Sequence, residues 1–143
     1  MFRSAIAILI GVSSVSAMAQ MTPVGLWRTI DDHDGSAKSE IRIVENGGVV
    51  SGKVDKILEK GKQDDKCVEC KDERKDQPIQ GMEILRGLKK AEGKDVWEGG
   101  NVLDPNNGKV YRATVAPIEG GAKLQMRGYI GFFYRTQIWI RVQ

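Results

Sequence analysis

The chain has 143 residues, the length of one domain that buries a substantial core. Its 22 basic and 19 acidic residues nearly balance, and they are interleaved, for example over residues 71–76. The broad basic stripe of a nucleic-acid-binding protein is missing from this pattern, so we expect no nucleic-acid partner.

The segment of residues 1–19 has the order of a cleavable signal peptide. Arg3 supplies a positive charge, residues 5–10 form an apolar core, and Ala17 and Ala19 form an A-x-A cleavage site. The apolar stretch is shorter than the about 20 residues that span a bilayer. We expect cleavage after Ala19 and a periplasmic or secreted domain over residues 20–143, without stable insertion in a membrane. An uncleaved anchor or a buried first helix is the alternative.

Short runs with strand character follow, separated by turn residues, and no window shows sustained helical periodicity. Asn46-Gly47 is a strong hairpin signal between two of these runs. The predicted strands are residues 25–30, 38–45, 49–58, 82–89, 96–103, 109–117, 123–130 and 136–142. Short strands joined by hairpin turns predict an all-β protein, either an up-and-down barrel or a sandwich.

A charged segment over residues 59–80 interrupts this rhythm and contains Cys67 and Cys70. In an exported protein so close a pair predicts a local disulfide that pins the segment. A redox C-x-x-C motif is the alternative, but its flanks lack the βαβ context of that chemistry. A zinc site needs four ligands, and the sequence has no second C-x-x-C, so we predict no metal and no cofactor.

The turn at residues 31–35 combines Asp31, Asp32 and Asp34 with His33, the single histidine of the sequence. Oxygen ligands for a hard cation are one interpretation, but a hydrated hairpin turn explains the same residues. His33 between aspartates at a turn tip is poorly placed to act as a general base. No common catalytic signature is present, so the sequence does not predict an enzyme and no catalytic residue is proposed.

The last two predicted strands each carry one aliphatic face and one face that mixes arginine with aromatic residues. Arg127 and Tyr129 share a face of the first, and Arg135, Trp139 and Arg141 share a face of the second. Because burying several arginines without partners is costly, we expect the aliphatic faces in the core and the mixed faces in solvent. The alternative turns the mixed face inward as a pocket for an anionic ligand.

Two resemblances are carried by motifs in the sequence. Gly25-Leu26-Trp27 resembles the G-x-W of the lipocalin group, which implies that an arginine of the last strand, Arg141 or Arg135, packs across Trp27. A set of motifs together resembles the domain of unknown function 2147 family of exported bacterial proteins. They are residues 23–29, Cys67-x-x-Cys70 followed by residues 76–82, Gly99-Gly100 with Leu103-Asp104-Pro105, and residues 108–111, 127–131 and 135–139. That family implies a lipocalin-like β-barrel and no settled activity. The sequence departs from its pattern at residues 132–134, where a glycine-rich turn is expected.

These observations predict a small antiparallel up-and-down β-barrel of lipocalin type with about eight strands. We expect a non-catalytic protein that binds a small apolar or anionic ligand in the barrel. The alternative is an interaction module with a solid-packed barrel and a protein partner in the envelope or the host. The candidate ligand-binding residues are Trp27, Trp97, Arg127, Tyr129, Arg135, Trp139 and Arg141.

Overall fold

The computed structural model describes residue 8, residues 10–11 and residues 21–143. The predicted signal peptide therefore falls, apart from three of its residues, outside the described part of the chain. No helix in that described part is long and apolar enough to cross a membrane.

Eight antiparallel strands close into a barrel in sequence order, as predicted. They are β1 (Gly25–Ile30), β2 (Ala37–Asn46), β3 (Val49–Ile57), β4 (Glu83–Lys90), β5 (Trp97–Asp104), β6 (Lys109–Ile118), β7 (Lys123–Ile130) and β8 (Phe133–Arg141). A 3-10 turn at Glu119–Gly121 joins β6 to β7. β1 pairs with β8 through Trp27–Arg141 and Arg28–Ile140, which closes the barrel and leaves no free sheet edge.

Turn residues set the register of the hairpins. Asn46 pairs with Val49 across a turn in which Gly47 and Gly48 have positive φ angles of 58° and 80°. Two positive φ angles are what a tight two-residue hairpin requires, and glycine adopts them without strain. The Asn-Gly signal in the sequence therefore corresponds to a real hairpin.

The two ends of the barrel are built differently. Short turns after β2, β4 and β6, together with residue 23 and the C-terminal residue, form one end, which we call the closed end. Fully buried side chains fill it: Trp27, Ile43, Val50, Leu88, Val115 and Leu124. The connections after β1, β3, β5 and β7 surround the other end, which we call the open end.

The longest connection, residues 58–82 between β3 and β4, is called here the disulfide loop. Cys67 and Cys70 form a disulfide within it, as predicted. The Cys67 and Asp76 amides donate to the Gln77 and Cys67 carbonyls at 2.9 and 2.8 Å, so the loop folds back on itself as a narrow hairpin. The loop rests on the turn between β5 and β6, where a Cβ atom added to Gly108 would collide with the Glu69 carbonyl.

The hairpin of β7 and β8 corrects the expectation about their faces. Ile130 pairs with Phe133 across a turn of only Gly131 and Phe132, and Leu124 pairs with Trp139. This even-length turn aligns even-numbered residues of β7 with odd-numbered residues of β8, and paired residues share a face. The aliphatic face of β7 points inward as expected, but on β8 the mixed face with Trp139 points inward. Its aliphatic residues Ile138 and Ile140 lie outside, so the expectation for β8 was wrong.

Candidate ligand-binding cavity

The open half of the barrel contains a cavity of about 430 Å³. The cavity extends from the barrel interior to the connections after β1, β3, β5 and β7. The fully buried cluster around Trp27 lies at the opposite end, so the cavity has a floor and a single direction of access among the described residues. An eight-stranded barrel has an interior of the right width for one small ligand.

Aliphatic and aromatic side chains form the walls because alternate residues of every strand point inward. The principal wall residues come from six different strands: Ile41, Val54, Ile84, Val102, Met126 and Trp139. Gly128 of β7 also lines the cavity, and the missing side chain leaves space between Tyr111 and Val102. These walls suit an apolar molecule.

A few polar groups interrupt the apolar walls. The Trp139 indole Nε1 donates to Gln137 Oε1 at 3.0 Å, so both polar atoms are satisfied inside the barrel. The hydroxyls of Thr29 and Ser39 are 2.7 Å apart on neighbouring strands. These groups place hydrogen-bonding atoms part of the way down the cavity.

Charged side chains surround the mouth. Lys38 Nζ lies 3.3 Å from Asp31 Oδ2 and 3.7 Å from Glu59 Oε1, so it joins the β1–β2 turn to the disulfide loop. Arg135 Nη2 lies 2.9 Å from Asp32 Oδ2. The backbone amides of His33 and Asp34 donate to Asp31 and, with Lys38 nearby, lower the pKa of its carboxyl. The mouth therefore carries ionised groups of both signs.

The seven predicted binding residues are distributed over three places. Trp139 and Arg135 line the cavity, at its wall and at its mouth. Arg127 and Tyr129 lie on the outer face of β7, where Arg127 contacts the Tyr134 ring. Whether any of them binds a ligand stays a prediction.

The other three predicted residues belong to the closed half of the barrel. Arg141 stacks on Trp27 with its Cζ 4.2 Å from the ring centroid, the contact that the G-x-W resemblance implies. Trp97 is buried where β5 begins, beneath Lys90. These three contribute to the core and do not line the cavity.

Sequence reasoning missed most of the cavity wall. The alternating pattern of their strands predicted that Ile41 and Val54 point inward. It did not predict how far along the barrel axis they lie, and hence that they line the cavity. Gly128 carries no chemical signal at all. Only the pairing of β6 with β7 shows that Gly128 lies beside Tyr111 in the cavity wall.

The comparisons with known proteins bear on the fold and the family. No curated protein gives a significant match to the chain. A solved structure, protein HP1028 from Helicobacter pylori, described as belonging to the lipocalin family, matches with a TM-score of 0.73 and 19% identity over 87% of this chain and 85% of that one. At this identity the likeness shows the fold, an all-β lipocalin-type barrel. The family model described as "Uncharacterized protein conserved in bacteria (DUF2147)" matches residues 25–141. Because this match spans most of the sequence, the chain belongs to the DUF2147 family.

Proposed function

We propose that the protein is a non-catalytic, extracytoplasmic binder of a small molecule with an apolar body and an acidic group. The observation that carries this proposal is the cavity of about 430 Å³ at the open end of the barrel. Pockets for small ligands have volumes of about 300–1,000 Å³ and predominantly apolar walls with few polar groups. The cavity has both properties.

The apolar body of the ligand is expected against the aliphatic wall and the Trp139 ring. Transfer of apolar surface from water to such a wall contributes about 25 cal/mol per Å². The Gln137 amide and the Thr29–Ser39 hydroxyl pair offer hydrogen bonds to one polar group within the apolar body.

The acidic group of the ligand is expected at the mouth, near Arg135 and Lys38. The Arg135–Asp32 pair is exposed, with 71% and 49% of the two side chains accessible. Exposed ion pairs contribute about 0–1 kcal/mol, so a carboxylate or phosphate on a ligand can replace Asp32 at little cost. Arg135 is the strongest candidate to orient the ligand because its planar guanidinium binds such groups with two hydrogen bonds.

An extracytoplasmic compartment is part of the proposal. The Cys67–Cys70 disulfide supports it because disulfides persist in oxidising compartments. The signal-peptide pattern of residues 1–19 and the bacterial family point the same way and suggest a periplasmic or secreted protein. An interaction module with a filled barrel remains the second candidate, and the volume of the cavity counts against it.

The test fills the cavity from Gly128. A Cβ atom at this position would lie 3.7 Å from Tyr111 Cβ and 3.8 Å from Val102 Cγ1, which is ordinary contact. The Cβ atom of Gly128→Phe therefore fits, and because residue 128 lines the cavity, we expect its ring to occupy part of that space. The probe is 1-anilinonaphthalene-8-sulfonate, which has an apolar body and one anionic group. We expect saturable probe fluorescence for the wild type and an affinity at least about tenfold weaker for Gly128→Phe.

Gly128→Ala is the matched control, because it adds the Cβ atom without filling the cavity, and it should bind the probe like the wild type. Circular dichroism checks that both variants are folded. Undiminished probe binding by a folded Gly128→Phe variant would contradict the proposal and favour the interaction module.

A further inference from the structure

The turn between β7 and β8 presents an unusual group of exposed apolar side chains, which we call the aromatic tip. It consists of Ile130, Phe132, Phe133 and Tyr134, whose exposed fractions are 61%, 102%, 80% and 57%. Gly131 supplies the positive φ angle of 59° that holds the turn tight, and the exposed side chains project from the open end as a wedge. Contiguous exposed apolar residues mark interaction sites.

The strands that carry the tip are basic. β6, β7 and β8 contain no aspartate and no glutamate, whereas they contain Lys109, Arg112, Lys123, Arg127, Arg135 and Arg141. The charges of the whole sequence are interleaved, but the fold gathers three strands without acidic residues on one side of the barrel. Lys109, Arg112 and Arg127 of these strands lie toward the open end, beside the tip. Lys123 and Arg141 lie at the closed end, where Lys123 pairs with Glu119.

Two arginines of these strands lie over tyrosine rings in or beside the tip. Arg127 Cζ lies 4.7 Å from the Tyr134 ring centroid, and Arg112 Cζ lies 5.1 Å from the Tyr129 centroid. The two tyrosine rings are 5.8 Å apart. Cationic and aromatic groups therefore alternate directly behind the apolar wedge, on the outer face of the barrel.

A shallow groove beside the tip adds two lysines. Lys71 of the disulfide loop and Lys109 of β6 line it together with Tyr129 and Ile130. Asp72 also lines the groove, but its carboxylate is engaged by Arg74. Cations from the disulfide loop and the sheet thus converge on the base of the tip.

We propose that the aromatic tip and the surrounding cations dock the protein peripherally on a bilayer that contains anionic lipid. Aromatic side chains favour the membrane–water interface, where their apolar rings meet the headgroup level. Each basic residue near an anionic surface strengthens binding about fivefold. The attraction falls off within a Debye length, so docking should weaken with added salt.

A bilayer fits the tip better than a protein partner does. A specific protein interface buries about 800 Å² on each side, and a convex wedge of four side chains presents too little surface to a flat partner. A fluid interface instead closes around a projecting wedge. The aspartates of the β1–β2 turn lie on the side of β8 away from β6 and β7. Because anionic lipid repels these aspartates, we expect the docked barrel to lean so that β6 and β7 lie closer to the membrane than β1 and β2.

Docking in this orientation also places the mouth of the cavity at the membrane. Ile130 of the tip and Arg135, which follows the tip in β8, both line the cavity mouth. This orientation predicts, in a step that rests on the proposed function, that the ligand partitions into membranes and enters the cavity from the headgroup region. The docking itself does not depend on a ligand.

The test is sedimentation of the purified protein with vesicles of phosphatidylcholine alone or mixed with phosphatidylglycerol. We expect binding to the mixed vesicles, weaker binding in high salt, and little binding to phosphatidylcholine. Phe132→Ser should weaken partitioning about tenfold because it removes a fully exposed ring. Arg127→Gln should weaken it about fivefold.

Ile138→Ser is the matched control, because Ile138 is also apolar and on the outer face of β8 but stands away from the tip. It should partition like the wild type. Gly128→Phe should also retain vesicle binding. Failure of the cavity proposal and failure of the docking proposal therefore give different results.

Three results would overturn the proposal: no binding of the wild type to mixed vesicles, unchanged binding by Phe132→Ser, or equal loss with Ile138→Ser. A dimer that Phe132→Ser dissociates, without vesicle binding by the wild type, would assign the tip to a second copy instead.

Discussion

The two ends of the barrel use similar residues for opposite purposes. At the closed end, Trp27 is fully buried, its Nε1 donates to the Pro23 carbonyl at 2.7 Å, and Arg141 covers its ring. Arg141 also donates to the carbonyls of Val24 and Gly121 at 2.9 and 2.6 Å, so these bonds tie the last strand to the segments beside it. Trp139, which pairs with Leu124 deep in the barrel, instead lines the inner wall of the cavity. At the open end, Arg135 reaches the exposed Asp32.

With the proposed function, this difference divides stability and binding along the barrel axis. Tryptophan and arginine at the closed end join the first and last strands and plug the interior. The same residue types along the cavity, Trp139 in its inner wall and Arg135 at its mouth, border open space and an exposed ion pair. Substitutions at one end should therefore affect unfolding, and substitutions at the other should affect binding.

The largest expected effect tests the closed end. Trp27→Ala removes a fully buried ring and should lower the free energy of unfolding by about 3–5 kcal/mol, measured by urea denaturation. Trp27→Phe keeps most of the apolar volume and serves if the alanine variant does not fold. Probe binding in the cavity should survive either substitution. A loss of probe affinity as large as that expected for Gly128→Phe would show that the two ends of the barrel are not independent.

A smaller effect compares a glycine from each end. Gly93 lies in the β4–β5 turn and Gly108 in the β5–β6 turn, with φ angles of 69° and 70°. A Cβ atom at Gly93 meets nothing within 4 Å, whereas at Gly108 it collides with the Glu69 carbonyl. Gly93→Ala should cost about 1–2 kcal/mol from the backbone alone.

Gly108→Ala should cost about 1–3 kcal/mol more than Gly93→Ala, because the disulfide loop must shift away from the turn. Thermal and urea unfolding of the two variants measure this difference. Equal losses would show that the loop does not press on the β5–β6 turn in solution.

The smallest effect concerns the attachment of the disulfide loop. Hydrogen bonds from the Arg74 side chain lower the pKa of Asp72 from 3.8 to about 2. Arg74 Nη1 also donates to the Glu83 carbonyl at 2.9 Å, so the pair links the loop to the start of β4. Because the folded-state pKa is depressed, this stabilisation is present above about pH 4 and disappears as the pH falls toward 2.

Asp72→Asn should therefore be less stable than the wild type near pH 7 by about 1 kcal/mol, since the pair is partly exposed. The difference should shrink as the pH falls from about 4 to about 2. Urea unfolding at several pH values measures it. A difference that is constant over this range would contradict the assigned role of the Asp72 ionisation.

Most of the fold was predictable from the sequence, because alternation and turn residues act locally. Asn46-Gly47 marked a hairpin. The G-x-W resemblance implied that Arg141 or Arg135 packs across Trp27, and the structure has Arg141 there. The β8 strand was predicted too short, since the phenylalanines 132 and 133 were not recognised as the turn and the start of that strand.

The candidate site was less predictable because it depends on register and depth. One residue in the length of the turn at Gly131 decides which face of β8 points inward, and hence whether Trp139 or Ile138 meets the cavity. Tyr129 and Arg127 satisfied the same chemical criteria as Trp139 but lie outside. Strand alternation sorts the residues of one strand into two faces. It does not determine which of these faces lies on the same side of the sheet as a given face of the neighbouring strand.

Native mass spectrometry of the protein purified from its own bacterial host, compared with the Gly128→Phe variant, tests the central claim most directly. The wild type should carry a small molecule of defined mass that the folded variant lacks. A wild type without any bound molecule that also fails to bind 1-anilinonaphthalene-8-sulfonate would contradict the assignment of the open-end cavity as a binding site.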